Sequence, residues 1–167
     1  SQQAHIRVFL NGRGDFLRAE FLGKQPVIIP ATEASAGRTS KPVVHPLADK
    51  IRYCAADYAD GKGDFPLYEK ALADWCASPF AHPGVSAVYA YVKRGTLVKD
   101  LIRSGILQTD ERGELLPEAP AENPSPLFKV LTPKKKGGRT VKDQGEALVC
   151  WSVESPDPPG SRTHTDL

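Results

Sequence analysis

The side chains best suited to chemistry in this chain are cationic and hydroxylic rather than nucleophilic. Arg38, Thr39, Ser40, Lys41 and His45 lie within eight positions, in a stretch from Thr32 to Leu47 with too few large apolar residues to pack a core. Guanidinium and ammonium groups meet phosphate oxygens, hydroxyls add neutral donors, and small residues such as Gly37 let backbone N–H groups approach a partner. A long loop inside a compact domain is usually kept because it touches something. A plainer reading is that His45-Pro46 caps a helix and Arg38 pairs with Glu33.

A second group is denser. Lys134, Lys135, Lys136, Arg139 and Lys142 follow Pro133 with no acidic residue among them. Placed between two strands, they form a basic hairpin tip able to lie along a phosphate backbone, where each neutralised phosphate releases counterions. The alternative is a solvated charge run. The third group is Asn11-Gly12-Arg13-Gly14. Asn11 and Arg13 have the donors to read base edges, although an Asn-Gly step is first of all a good hairpin turn.

Signals for catalysis are poor. There is no Gly-x-Ser-x-Gly, Walker or His-Glu-x-x-His pattern. Ser40, His45 and Asp49 make a nucleophile, base and orienter only by a contrived fold. The histidines (His5, His45, His82, His164) have no metal-ligand spacing with Cys54, Cys76 and Cys150. The expectation is no enzyme, no metal and no cofactor.

These groups need elements to hold them. His5–Leu10 and Phe16–Leu22 read as strands about the Asn-Gly turn, and Val27–Ile29 as a short third strand between prolines. A helix is expected after His45-Pro46, with Leu47, Ile51, Cys54, Ala55 and Tyr58 on its inner stripe. A second carries Phe65, Tyr68, Leu72, Trp75 and Cys76. A third, opened by a cap at His82-Pro83, carries Val85, Val88, Tyr89 and Val92. Thr96 should cap a fourth, with Leu97, Val98, Leu101 and Ile102 inside. Leu127–Leu131 and Ala147–Val153 read as further strands, with a small hairpin near Asp110–Gly113. The fold class expected is α+β, a mostly antiparallel sheet with a helical insertion of about four helices.

Length and charge set the frame. The 167 residues suit a single domain, with residues 105–126 and 155–167 as loop or linker segments. The chain lacks an initial Met, opens on a strand pattern and stops at Asp166-Leu167, so it is expected to be the N-terminal part of a longer protein. The three well-separated cysteines read as free thiols of a reducing, cytoplasmic compartment, and no apolar run of about 18 residues implies a membrane span. Residues 129–142 hold six Lys or Arg and no acid, whereas residues 143–167 hold five acids and one Arg. A net charge of +2 thus conceals strongly basic and acidic segments, and local potential steers association.

Beyond composition, Ile28-Ile29-Pro30-Ala31-Thr32-Glu33-Ala34-Ser35-Ala36-Gly37-Arg38-Thr39-Ser40 and His45-Pro46-Leu47-Ala48-Asp49-Lys50-Ile51-Arg52-Tyr53 resemble the large subunit of type I-C CRISPR Cascade complexes. The likeness continues through Trp75, His82-Pro83, Gly95-Thr96-Leu97 and Asp100-Leu101, and returns in Asp143-Gln144 and Ala147–Glu154. Family members are longer, with a C-terminal helical bundle. Two positions depart from the pattern: Cys150 stands where Arg is common, and Lys41-Pro42 where Gly is. The resemblance implies RNA-guided antiviral defence. The N-terminal domain would recognise the motif flanking the protospacer and help open the duplex for guide pairing. Partners would be target double-stranded DNA, CRISPR RNA through the complex, the other Cascade subunits and a recruited helicase-nuclease, with no membrane. It implies that Arg38, Thr39, Ser40, Lys41 and His45 touch the flanking motif and that Lys134, Lys135, Lys136, Arg139 and Lys142 hold the backbone. Asn11 and Arg13 form a weaker third group. The alternatives are an architectural subunit that grips guide RNA and its neighbours without reading DNA, and a metal-independent endoribonuclease of repeat RNA, which this class of complex needs and for which His45 would be the base.

Overall fold

The computed structural model describes residues 2–27, 48–58, 65–79, 82–154 and 164–166. Strands β1 (Gln2–Asn11) and β2 (Phe16–Val27) form an antiparallel hairpin whose register shifts near Ala4/Ile6 and Phe9/Leu10. Its turn is built as the Asn-Gly step demands. Asn11 Oδ1 accepts from the N–H groups of Arg13 at 3.0 Å and Asp15 at 2.9 Å, and its Nδ2 donates to Asp15 at 2.9 Å.

Next to β1 lies β6 (Leu148–Glu154), running parallel to it from Ile6↔Val149 to Asn11↔Glu154. On the far side of β6, β3 (Ala48–Lys50) and β7 (His164–Asp166) pair antiparallel with its first and last residues respectively. The sheet order is β2-β1-β6-β3, with β7 also on β6. The sheet is therefore mostly antiparallel, as expected, around one parallel step among the described strands. Parallel neighbours require a long crossover, and the helical part of the chain lies between them in sequence.

Those helices are α1 (Ile51–Cys54), α2 (Phe65–Cys76), α3 (Pro83–Arg94), α4 (Leu97–Arg103) and the short α5 (Pro126–Val130). Strand alternation puts Ile6, Val8, Leu10, Val149, Trp151 and Val153 in one cluster with Tyr68, Leu72, Val88, Tyr91 and Leu101 from the helices. Trp151 is fully buried, with its ring edge-on to Tyr91 at 5.9 Å. Removing such a ring costs about 3–5 kcal/mol. On the opposite face Arg18 pairs with Glu154 at 2.8 Å and lies 3.9 Å over the Phe9 ring.

Several expectations are corrected. Ala48–Lys50, assigned by periodicity to a helix, instead pairs with β6, and the helix is only Ile51–Cys54. The backbone groups offered by β6 outweigh a five-residue apolar stripe. Leu127–Leu131 was expected as a strand, yet it is mostly α5. Ser125 accepts from the Phe128 N–H at 3.3 Å and Pro126 occupies the first turn, a helix-starting arrangement. Thr96 makes no side-chain cap to α4 and donates to Asp100 at 3.0 Å. The cap comes from Asp57, whose carboxylate accepts from the N–H groups of Val98 at 2.9 Å and Lys99 at 3.0 Å.

Other expectations hold. His82 Nδ1 accepts from the Gly84 N–H at 3.0 Å and caps α3. Thr109 bridges Leu115 around the Asp110–Gly113 turn. Val27, by contrast, was expected to open a third strand and instead continues β2, paired with Gln2, while residues 28–29 of that expected strand lie outside the described residues, as does Leu47. Cys54 and Cys150 are buried free thiols and Cys76 is half-buried. Burial, with the Asp49 charge adding to it, pushes the Cys54 thiol well above its ordinary value and keeps it unreactive.

Candidate nucleic-acid interface

The basic segment folds as a two-stranded hairpin, β4 (Lys134–Lys136) and β5 (Arg139–Val141). Gly137 and Gly138 close it with φ of 59° and 80°. A two-residue loop that continues the strands' right-handed twist needs positive φ at both centres, which glycine supplies without strain. The sequence placed these residues at the tip of a hairpin between strands at Leu127–Leu131 and Ala147–Val153; instead they form both strands of a small sheet of their own, and the element before it is α5.

Alternation sorts its charges. Lys134 and Lys136 point one way, toward a single 3₁₀ turn at Gln144–Glu146 and its cap Asp143. Lys134 reaches Glu146 at 3.3 Å and Lys136 reaches Asp143 at 3.7 Å. Arg139 forks onto Glu118 at 2.9 and 3.3 Å. Lys135 and Lys142 have no ion pair among the described residues. The hairpin is thus docked by its own cations, not a free charge run.

Glu146 is the hub. Besides Lys134 it receives Lys50 at 2.8 Å and Arg52 at 3.0 Å. Burial alone would raise its pKa. Hydrogen bonds from Lys50 and Arg52, with the charges of Lys50 and Lys134, win and hold it down at about 2. Behind it, Asp143 accepts from the Tyr58 hydroxyl and the Gly145 N–H, both at 2.8 Å. Buried Gln144 accepts from the Gln108 N–H at 2.8 Å and donates to the carbonyls of Gln108 and Leu116 at 3.0 and 3.1 Å. Residues 105–116 are therefore wired to the base of the hairpin.

Sequence reasoning missed Lys50 and Arg52. Their partner is 96 and 94 positions away, and the apolar stripe through Ile51 drew attention to the core.

The three expected groups fare differently. Lys134, Lys135, Lys136, Arg139 and Lys142 are brought together. Arg38, Thr39, Ser40, Lys41 and His45 lie outside the described residues. The segment that carries them leaves β2 at Val27, opposite Gln2, and enters β3 at Ala48, two positions before Lys50. Asn11 and Arg13 sit elsewhere. Asn11 pairs with Glu154 and Lys50 with Leu148, at opposite ends of β6, a separation of about 20 Å at strand rise. The Asn11 amide is occupied by its own turn, and Arg94 from α3 donates to Asp15 at 2.9 Å and to the Arg13 carbonyl at 3.5 Å. Hydrogen bonds from Asn11 and then Arg94 hold the Asp15 carboxyl at about 2. This turn is latched to a helix end, whereas the Arg13 side chain itself is 84% exposed.

Among the described residues no group of three or more His, Cys, Asp or Glu could hold a metal ion, and no helix is long and apolar enough to cross a membrane. Asp49, the orienter of the contrived triad, lies in β3 and accepts from the Lys50 N–H at 2.8 Å. The arrangement can therefore hold anions on a basic face.

A family model described as CRISPR-associated protein (Cas_Csd1) matches residues 1–166. No curated protein and no solved structure matches the chain.

Proposed function

The chain belongs to the Cas_Csd1 family of CRISPR-associated proteins, that of the type I-C Cascade large subunit, and from that membership we propose that this domain recognises the protospacer-adjacent motif and helps open target DNA. The segment bearing Arg38, Thr39, Ser40, Lys41 and His45 reads the flanking bases. The hairpin bearing Lys134, Lys135, Lys136, Arg139 and Lys142 holds the phosphate backbone. The domain itself cuts nothing, and a helicase-nuclease is recruited for that step.

The observation that supports this reading is adjacency. The motif-reading segment runs directly into β3, and β3 ends at Lys50, which shares Glu146 with Lys134 of the hairpin. The two described residues that flank the base-reading segment, Val27 and Ala48, lie at the same end of the sheet as Lys50, and a base-reading segment beside a backbone-holding hairpin would divide the labour as such interfaces do.

The test is a flanking-motif library binding assay with the reconstituted complex. Arg38→Ala and Lys41→Ala should abolish discrimination between correct and wrong motifs. Alanine at Lys135 or Lys142 should weaken all duplexes alike and flatten the salt slope by about 0.9 per lost contact. Unchanged target binding at physiological salt for both sets sinks the reading. Failed assembly with intact DNA preference favours the architectural role instead.

A further inference from the structure

The Glu146 centre has more positive charge than its own acid can neutralise. Lys50, Arg52 and Lys134 converge on one carboxylate, at 2.8, 3.0 and 3.3 Å. They come from β3, α1 and β4, so the fold rather than local sequence assembles them. Three like charges around one opposite charge repel each other, and Lys50 and Lys134 alone already outnumber the single acid. The exposure is graded: Glu146 is 16% exposed, Arg52 25%, Lys134 30% and Lys50 41%. An approaching ligand therefore meets the cations first and the carboxylate last. Each ammonium has three donors; Lys50 gives one to Glu146 and Lys134 is ion-paired with it at 3.3 Å, which leaves donors for a further acceptor.

We propose that Lys50, Arg52 and Lys134 form a phosphate seat for the backbone of duplex DNA, with Glu146 as the internal counter-ion that holds the three cations in place. The proposal rests on the domain being a DNA-binding one, and it extends the contact surface from the hairpin to the end of β3. The ligand class is a phosphodiester, because the excess charge calls for an anion whose oxygens can take several donors at once. Lys134 makes the seat continuous with the hairpin, where Lys136 lies on the same face. A nucleic-acid strand supplies successive phosphates to such a row, where a single carboxylate would leave part of it unmet.

The sign of one substitution separates this from a merely structural staple. In the reconstituted complex with guide RNA, duplex affinity is measured against salt for wild type, Lys50→Gln, Lys134→Gln and Glu146→Gln, on correct and wrong flanking motifs. Each lysine variant should lower the slope of log K against log salt by about 0.9. Over a fourfold rise in salt that is a roughly 3.5-fold smaller loss of affinity. Glu146→Gln should do the reverse, tightening low-salt binding and steepening the slope by about the same amount. The motif preference should stay unchanged in all three.

A staple predicts one direction for all three variants, so weaker binding and an unchanged or flatter slope in Glu146→Gln overturns the seat. If Glu146→Gln fails to assemble, Lys50→Gln, the most exposed member, decides alone, and an unaltered slope there overturns the proposal. Loss of guide RNA from the Lys50→Gln complex with a normal duplex slope would give the seat to RNA and equally overturn it. A wild-type complex indifferent to the flanking motif sinks the motif-reading function while the slopes still test the seat.

Discussion

Gly145→Ala tests how the hairpin's base is built. Gly145 sits in the Gln144–Glu146 turn between the two acids that receive Lys134 and Lys136. Its φ is not positive, so alanine meets no backbone penalty there. The obstacle is steric. A Cβ would overlap the Tyr58 hydroxyl and ring, with Cε2 at 2.7 Å. Tyr58 cannot retreat without breaking its 2.8 Å bond to Asp143. A bond to an ionised acceptor contributes about 1.5–3 kcal/mol, and overpacking costs about 1–3 kcal/mol. Against this stands about 0.4–1 kcal/mol from the stiffer unfolded chain. The net loss should be roughly 3 kcal/mol, read in urea unfolding as a lower midpoint at constant m, or as a fall in Tm of roughly 6–12 °C. In a Tyr58→Ala background the obstacle is gone, and the same substitution should be neutral or stabilising by up to ~1 kcal/mol. The cycle should show a coupling of about 3 kcal/mol. Equal costs in the two backgrounds, or a wild-type cost below ~0.5 kcal/mol, would refute the packing argument.

Three further outcomes are expected. Asp57→Ala, which strips the cap from the Val98 and Lys99 N–H groups, should cost about 1–2 kcal/mol in denaturant unfolding; Asp57→Asn keeps one acceptor and should lose less. Gln144→Leu leaves the Gln108 N–H and the Gln108 and Leu116 carbonyls without their side-chain partner, so it should destabilise by at least ~2 kcal/mol. Hydrogen exchange across residues 105–116 should rise with it, and an unchanged pattern there would contradict the clamp. Glu146 titrates at about 2 when folded against an ordinary 4.5, so its stabilising effect is complete above pH 4.5 and fades as pH falls toward 2. Thermal midpoints across that window should drop in wild type and drop less in Glu146→Gln, and parallel curves would count against the hub.

Local signals carried much of the fold. Asn11-Gly12 specifies the β1–β2 turn through its own side chain, the 3.6-residue stripes place α2, α3 and α4, and Gly137-Gly138 between basic residues specifies the small hairpin. The failures share a physical cause, the competition between local pattern and distant backbone. Ala48–Lys50 continues a helical stripe on paper, but β6 has an unpaired side that those residues complete. Leu127–Leu131 is apolar enough for a strand, and the Ser125-Pro126 pair before it was the overlooked helix-start signal. The Asp57 cap on α4 is 41 positions from the Val98 N–H it receives. No window of sequence contains that pair.

Charge was the least legible quantity, for a reason that bears on the interface. The basic run 129–142 and the acidic run 143–167 follow one another in sequence, and the fold sets one on the other through Lys134–Glu146 and Lys136–Asp143. A ligand therefore does not meet six independent cations. It meets Lys135 and Lys142, which have no ion pair among the described residues, and Lys50, Arg52 and Lys134 already ordered around Glu146. Ordering a long cationic side chain on binding costs about 0.5–1.5 kcal/mol each. A half-buried acid that pre-positions three of them lowers that cost while cancelling one charge. The acids beside the hairpin are thus consistent with a polyanion partner, because they trade total charge for fixed geometry. That trade explains why a chain with net charge +2 can present a basic face organised from its interior.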